Sequence, residues 1–333
     1  MAVKIAFFDA KPYDEESFNN VNKAFNFEIE YYKERLNRKT VRLAKGADVA
    51  CIFVNAECNA QVIADLASFG VKLIALRCAG FNNVDLNAAR EKGIRVVHVP
   101  AYSPHGVAEY AVALMLCLNR KIYRAVNRTR EGNFSLDGLL GFDMYQKTAG
   151  IIGTGKIAKE LIKILRGFGM NILAYDVYPD QAFADQYQVK YVTLPELYAQ
   201  SDIISLHCPL TDSTKFIINH DSIAQMKKGV MIINTGRGKL IHTGDLIEGL
   251  KEKQVGSAAL DVYEEEGDYF YEDRSNKMID DDTLARLLMI PNVIVTSHQA
   301  FFTREALHNI AETTLQNIEV FAEGKELVNE VKQ

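Results

Sequence analysis

Residues 148–176 read TAGIIGTGKIAKELIKILRGFGMNILAYD. A short apolar run leads into a turn holding Gly153 and Gly155, an amphipathic helix follows, and a second apolar run ends on Asp176. A strand that feeds a helix and returns as a parallel strand is a βαβ unit, and it restricts the chain to folds with a helix-covered parallel sheet. The turn fits the pattern G-x-G-x-x-G/A. Gly153 permits the tight turn, Gly155 lets a pyrophosphate approach the backbone, and Ala158 is the small residue where helix meets strand. The pyrophosphate of a dinucleotide would lie at the N-terminus of helix 156–167, on free N–H groups and the positive end of the dipole. An acid at the end of the second strand accepts ribose hydroxyls and repels a 2′-phosphate, so Asp176 points to NAD(H) over NADP(H). A strand-end Asp is also a common cap.

This unit begins almost halfway along the chain. Before it, β-rich runs VKIAFFDA (3–10), FEIEYY (27–32), VACIFV (49–54), VKLIALR (71–77) and IRVVHV (94–99) alternate with helix-like stretches at 14–25, 59–70 and 84–93. That is a complete small α/β domain. A long helix is expected after VPAYSP (99–104), capped by Ser103 and able to bridge two domains. From residue 148 a second series of six or seven strands runs to NVIVTSH (292–298), as in a doubly wound nucleotide fold. Another amphipathic helix, 304–329, is expected to return to the first domain. The sequence therefore predicts two doubly wound parallel-sheet domains of α/β class. A flavodoxin-like substrate domain (1–101 and 300–333) is split around an inserted Rossmann NAD-binding domain (102–299). A length of 333 residues agrees with two cores. The acidic, aromatic stretch 261–282 is the least regular part and reads as a surface excursion.

The net charge of −5 offers no general attraction to nucleic acid or to an anionic membrane. The local basic run RKIYRAVNRTR (120–130) reads as the wet face of a helix. Five cysteines form no CxxC pair, which fits a reducing compartment and neither a disulfide scaffold nor a zinc site. No run has the length of a membrane span, and the N-terminal apolar stretch is too short for a signal peptide. A soluble cytoplasmic protein without a metal is expected.

Ligands of open α/β sheets bind at the carboxyl ends of the strands, which directs attention to three further places. HCPLT (207–211) ends one strand in a proline turn. INTGRG (233–238) ends another, and its Arg237 between two glycines offers a rigid fork for a carboxylate. TSHQAF (296–301) places His298 just past a third strand, where an imidazole suits proton exchange with a hydroxyl or carbonyl oxygen. Glu264, Glu265 and Glu266 supply candidate carboxylate partners for it. His98, His105, His220, His242 and His308 have no such setting. By themselves Arg237 reads equally as an exposed loop residue and His298 as a structural one.

In the order fingerprint, Arg, Glu, His, the chain resembles the D-isomer-specific 2-hydroxyacid dehydrogenase family over its whole length. ALRCAGFNNVDL (75–86), VPAYSP (99–104), RTREGNFSLDGLLGF (128–142), DVYEEEGDYFYED (261–273) and SHQAF (297–301) resemble its bacterial D-lactate dehydrogenase branch. The resemblance implies NADH-dependent, reversible reduction of pyruvate to D-lactate. Arg237 would clamp the substrate carboxylate and polarise the keto oxygen, His298 would be the general acid, and Glu266 its partner. Ala79 and Gly80 would offer N–H groups to the carboxylate. Tyr102 and Phe301 would line the pocket, and Phe53 would limit its size. Thr154, Gly155, Lys156 and Ile157 would surround the pyrophosphate. Cys208 and Pro209 would flank the adenine side, Asp261 would lie near the nicotinamide, and Thr235 and Gly236 would belong to the cofactor surface. A homo-oligomer, commonly a dimer through the helix at 104–130, is implied. His242 stands where the family usually has an acid. Two rivals remain: a dehydrogenase of a larger acid such as 2-hydroxyisocaproate or of glycerate, and a non-enzymatic NAD-sensing protein. Glu266 argues against the formate dehydrogenase branch, which uses Gln there.

Overall fold

A computed structural model describes residues 3–331, apart from the side chain of Asp268. The chain divides into two compact units. Unit 1 takes the residues up to Ser103 together with those from Phe302 onward, and unit 2 is Pro104–Phe301.

Unit 1 is built on five parallel strands: β1 (Lys4–Phe7), β2 (Glu28–Tyr31), β3 (Val49–Ile52), β4 (Leu73–Leu76) and β5 (Arg95–Val97). Their order in the sheet is β2-β1-β3-β4-β5, the flavodoxin-like arrangement. Every residue of β3 and β4 is buried, as expected where helices cover both faces of a parallel sheet. Short helices Ala60–Ser68 and Leu86–Glu91 start on the side-chain caps of Asn59 and Asp85. Helix Arg304–Ala322, capped by Thr303, packs on β4 and on helix Pro12–Asn22. It stops well short of the expected 329. After Gly324 the chain turns into an extended strap, with an antiparallel bridge from Val97 to Glu330. Arg95 holds that strap by a two-pronged contact to Glu330 at 2.7 and 2.6 Å.

Unit 2 has seven parallel strands: β6 (Thr148–Ile152), β7 (Asn171–Tyr175), β8 (Val189–Tyr191), β9 (Ile203–Leu206), β10 (Val230–Asn234), β11 (Val255–Leu260) and β12 (Val293–Val295). Their order is β12-β11-β10-β9-β6-β7-β8. The winding reverses between β6 and β9, and that switch point is where such sheets bind ligands. Helix Pro104–Asn119 buries Ala108, Ala111, Leu114, Met115 and Leu118 in one of this unit's two cores. The single long helix expected here is two helices. Lys121 adopts a left-handed φ of 50°, and Ile122–Arg130 starts afresh with no buried residue. The stretch after β11 is irregular, but it is more than a surface excursion, because Tyr263 and Phe270 are core residues. No described helix is long and apolar enough to cross a membrane.

Candidate active site

The glycine turn joins β6 to helix Lys156–Gly167. Gly153 has a φ of +90°, and a Cβ there would lie 2.5 Å from the backbone nitrogen of Cys208. Only glycine lets the turn fold this tightly and brings Cys208–Pro209 against it. A Cβ on Gly155 would meet nothing within 4 Å, so the space over the turn is open. No side chain caps the helix at Gly155, which leaves its first N–H groups available to an anion. Lys156 is exposed beside them, Ile157 is half-buried and Ala158 is wholly buried.

Thr154 and Asp176 are locked together. Asp176 Oδ2 accepts from the Thr154 N–H at 2.6 Å and from its hydroxyl at 2.9 Å, and Oδ1 accepts from the Tyr178 N–H at 2.9 Å. Burial alone would raise this carboxyl, but the hydrogen bonds from Tyr178, Thr154 and Val177 outweigh it and hold it below the ordinary carboxylate range. Asp176 is thus a fixed, ionised acceptor at the end of β7, suited to a ribose diol and hostile to a phosphate. At the end of β10 the Thr235 hydroxyl is buried with no hydrogen-bond partner among the described residues, and Gly236 follows it. A buried donor left in this state is what a bound ligand satisfies. Burial pushes the Cys208 thiol up to about 11, so it forms a neutral wall. These residues fit a dinucleotide.

Three neighbouring strand ends carry the acid–base group. Arg237 follows β10, Glu266 follows β11 and His298 follows β12. His298 is left-handed, with φ 54°. Its N–H donates to Asp261 O at 2.7 Å, and its Nδ1–H donates to Glu266 Oε1 at 2.8 Å. A carboxylate can only accept, so Nδ1 carries the hydrogen and Nε2 is left for a ligand. The His298 and Glu266 side chains are 17% and 20% exposed, still open to solvent on one side. Glu264 instead caps helix Thr243–Lys251 through the Thr243 N–H, and Glu265 pairs with Lys239. Glu266 is also held by the Tyr263 N–H at 3.1 Å. Gly238 links this acid to Arg237. A Cβ there would lie 2.0 Å from Tyr263 O, so the glycine is needed for close packing of two turns. His242 occupies the N-cap of helix Thr243–Lys251, 3.0 Å from Asp245 Oδ2.

Asp261 is wholly buried. Its oxygens accept from the Thr296 hydroxyl at 2.5 Å and from the N–H groups of Gln299 at 2.9 Å and Ala300 at 2.8 Å. In this structure the carboxylate organises the turn that presents His298, and Phe301 is buried directly after it. Sequence reasoning did not find Tyr271, which lies in the stretch set aside as irregular. Its hydroxyl donates to His298 O at 3.1 Å and its ring lies 6.0 Å from the imidazole.

In unit 1 the loop after β4 is tied back by its carbonyls. Cys78 O accepts from the Val99 N–H at 3.0 Å, Ala79 O from His98 Nδ1 at 2.9 Å, and Gly80 O from the Cys78 thiol at 3.3 Å. Neither Ala79 nor Gly80 has a hydrogen-bond acceptor for its N–H among the described residues. Two successive N–H groups are thus left without an acceptor, a donor pair of the kind that can face an anion. Phe53, at the end of β3, is fixed from two sides. Asn83 donates to its carbonyl at 3.1 Å, and the buried Arg77 guanidinium lies 4.8 Å from its ring. Tyr102 is held by Asn309, which donates to its carbonyl at 2.7 Å. Arg77, Asn83 and His98 were not picked out from sequence. The one available signal was an arginine closing the apolar run LIAL (73–76), since a buried charge always has a reason.

Residues 112–300 match the family described as D-isomer specific 2-hydroxyacid dehydrogenase, NAD binding domain. The D-lactate dehydrogenase of Escherichia coli is 51% identical over 99% of this chain and 100% of its own length. Among solved structures, the pyruvate reductase of Chlamydomonas reinhardtii superposes with a TM-score of 0.93 at 44% identity, covering 98% of each chain. A D-lactate dehydrogenase with NAD+ from Lactobacillus jensenii gives a TM-score of 0.83 at 32% identity, over 99% of this chain and 100% of the other. With the glycine turn in place, these matches make the chain an NAD-dependent oxidoreductase. The chain belongs to the D-isomer specific 2-hydroxyacid dehydrogenase family.

Proposed function

We propose that this protein reduces pyruvate to D-lactate with NADH, reversibly. The observation that carries the reading is the Nδ1–H contact of His298 to Glu266 at 2.8 Å, which leaves Nε2 to exchange a proton with the substrate oxygen. The chemistry that bound NADH supplies is hydride donation to the carbonyl carbon. Gly155, Lys156 and Ile157 would hold its pyrophosphate at the turn that Gly153 and Thr154 shape, Asp176 would take its ribose, and Thr235 and Gly236 would line its path with Cys208 and Pro209, while buried Asp261 acts only through the turn it organises.

His298 donates its Nε2 proton as negative charge builds on the keto oxygen. Glu266 steadies the imidazole that remains, and Arg237 stabilises the developing charge. In unit 1 the N–H groups of Ala79 and Gly80 take the carboxylate, while Phe53 and Tyr102 limit the side chain to a small one. The substrate and the D configuration rest on the names of the E. coli and Chlamydomonas relatives. Free thiols at all five cysteines support a reducing, cytoplasmic setting. Exposed Phe134, Leu136, Leu140 and Tyr145 form an apolar run next to helix Ile122–Arg130, which supports a homo-oligomer.

The test is NADH consumption with pyruvate, 2-ketoisocaproate and hydroxypyruvate, followed by an enantioselective assay of the product. Preferred turnover of pyruvate to D-lactate alone is expected. Preference for the bulky keto acid overturns the pocket assignment, and NADH binding without turnover on any of them moves the reading to an NAD sensor.

A further inference from the structure

We propose that His98 is a positioning residue, setting the polarity of the Ala79–Gly80 peptide and so the strength of the carboxylate nest. The proposal rests on the reading that these N–H groups take the substrate carboxylate. His98 lies just past β5 and is fixed before its ring is considered. Its N–H donates to Asn329 O at 3.1 Å, its carbonyl accepts from Asn317 Nδ2 at 3.0 Å, and Asn329 Nδ2 donates to Asn317 Oδ1 at 2.9 Å. The ring meets Phe81 edge-on, with centroids 5.6 Å apart. Of its two ring nitrogens, Nδ1 lies 2.9 Å from Ala79 O. A carbonyl oxygen can only accept, so Nδ1 carries the hydrogen.

The consequence follows from peptide geometry. The described chain has no cis bond, and in a planar trans peptide the C=O and the next N–H point in opposite directions. Pinning Ala79 O to the imidazole therefore turns the Gly80 N–H away from it, toward the open side of the loop. It also draws electron density toward the oxygen, which makes that N–H a stronger donor. Without the imidazole donor, this peptide is free to rotate between its neighbours. A rotated peptide shows the anion a carbonyl oxygen, which repels a carboxylate. The flanking carbonyls, Cys78 O on the Val99 N–H and Gly80 O on the Cys78 thiol, cannot replace this contact because they belong to other peptides.

The experiment uses the full-length enzyme and compares His98→Phe, which keeps the edge-on contact but removes the donor, with His98→Asn, whose amide N–H can stand near the Nδ1 position. The readouts are KM for pyruvate, the inhibition constant of oxamate, kcat, NADH affinity and the thermal midpoint. His98→Phe is expected to raise KM and the oxamate constant together by about fivefold to tenfold, the scale of one lost hydrogen bond. Turnover and NADH affinity stay near wild type, and His98→Asn recovers most of the loss. Should His98→Phe fail to fold, His98→Asp against His98→Asn makes the same comparison between isosteres, since the aspartate can only repel Ala79 O. Gly80→Pro, which deletes the Gly80 N–H itself, separates the two levels. If it weakens oxamate while His98→Phe leaves oxamate unchanged, the His98 proposal is wrong and the nest stands. If neither variant weakens oxamate, the nest reading falls and takes the proposal with it. A fall in kcat and thermal midpoint with oxamate binding intact also overturns it.

Discussion

Both units wind parallel strands between helices, yet the anion sites proposed for them are made by different means. Unit 2 uses a turn that only glycine can form, with Gly153 at φ +90° and the open N-terminus of a helix behind it. Unit 1 uses an ordinary loop whose carbonyls are pulled back by Val99, His98 and Cys78, leaving N–H groups in front. The first device is written into local sequence. The second depends on residues twenty positions away and on a helix from the far end of the chain. Sheet order alone therefore says where a ligand binds but not how it is held.

If the units divide the work in this way, changes in unit 2 should strike turnover and the cofactor, and changes in unit 1 should strike the keto acid alone. The largest effect is expected from His298→Asn in unit 2. Loss of the proton donor should lower kcat by about 10²–10⁴ with NADH affinity kept, as read by fluorescence titration beside steady-state rates. A residual rate within tenfold of wild type would show that the proton comes from elsewhere. Next comes Arg77→Lys in unit 1. The flat guanidinium contact to Phe53 is worth roughly 0.5–2 kcal/mol, and lysine keeps the charge facing Asp14 but loses that contact. KM for pyruvate should rise about threefold to tenfold, branched keto acids should gain relative to pyruvate, and NADH affinity should not move. An altered NADH affinity would break the division.

The effect that shows least at neutral pH is one of stability. Burial pushes the His207 imidazole down to about 4, so below its ordinary value of about 6.5 the unfolded chain binds a proton that the folded chain refuses. Stability from this source is complete above pH 6.5, shrinks as pH falls, and levels off below about 4. His207→Gln should flatten the decline of the thermal midpoint across that window. Calorimetry that finds the same slope in both proteins would place the acid sensitivity outside this part of unit 2.

The strands could be read because most are short apolar runs and the helices between them carry their own stops; β2, half-exposed at the sheet edge, shows only alternation. The element boundaries failed where a single backbone conformation decides. Lys121 divides an apolar pattern that reads as continuous, and Gly324 ends a helix whose polar–apolar alternation runs on. Arg237, Glu266 and His298 could be named because each stands at a strand end in a recognisable phrase. Composition alone could not choose among three consecutive glutamates; the structure does, by giving Glu264 and Glu265 other partners. Tyr271, Asn83 and His98 were illegible. Each acts on a backbone carbonyl, and no side-chain pattern records where a carbonyl points.

The return of helix Arg304–Ala322 and its strap to unit 1 also bears on how the protein is made. Unit 2 is one uninterrupted stretch and has all its strands once Val295 has been added. Unit 1 has its five strands early but lacks the helix that covers β4 and the segment that pairs with β5. Residues 104–301 must leave the ribosome before these arrive. Throughout that interval β5 is a bare edge and β4 an uncovered apolar strand, the kind of surface that attracts chaperones and misassembly. The unit begun first is finished last, and the side proposed to take the keto acid is completed only after the side proposed to take the nucleotide.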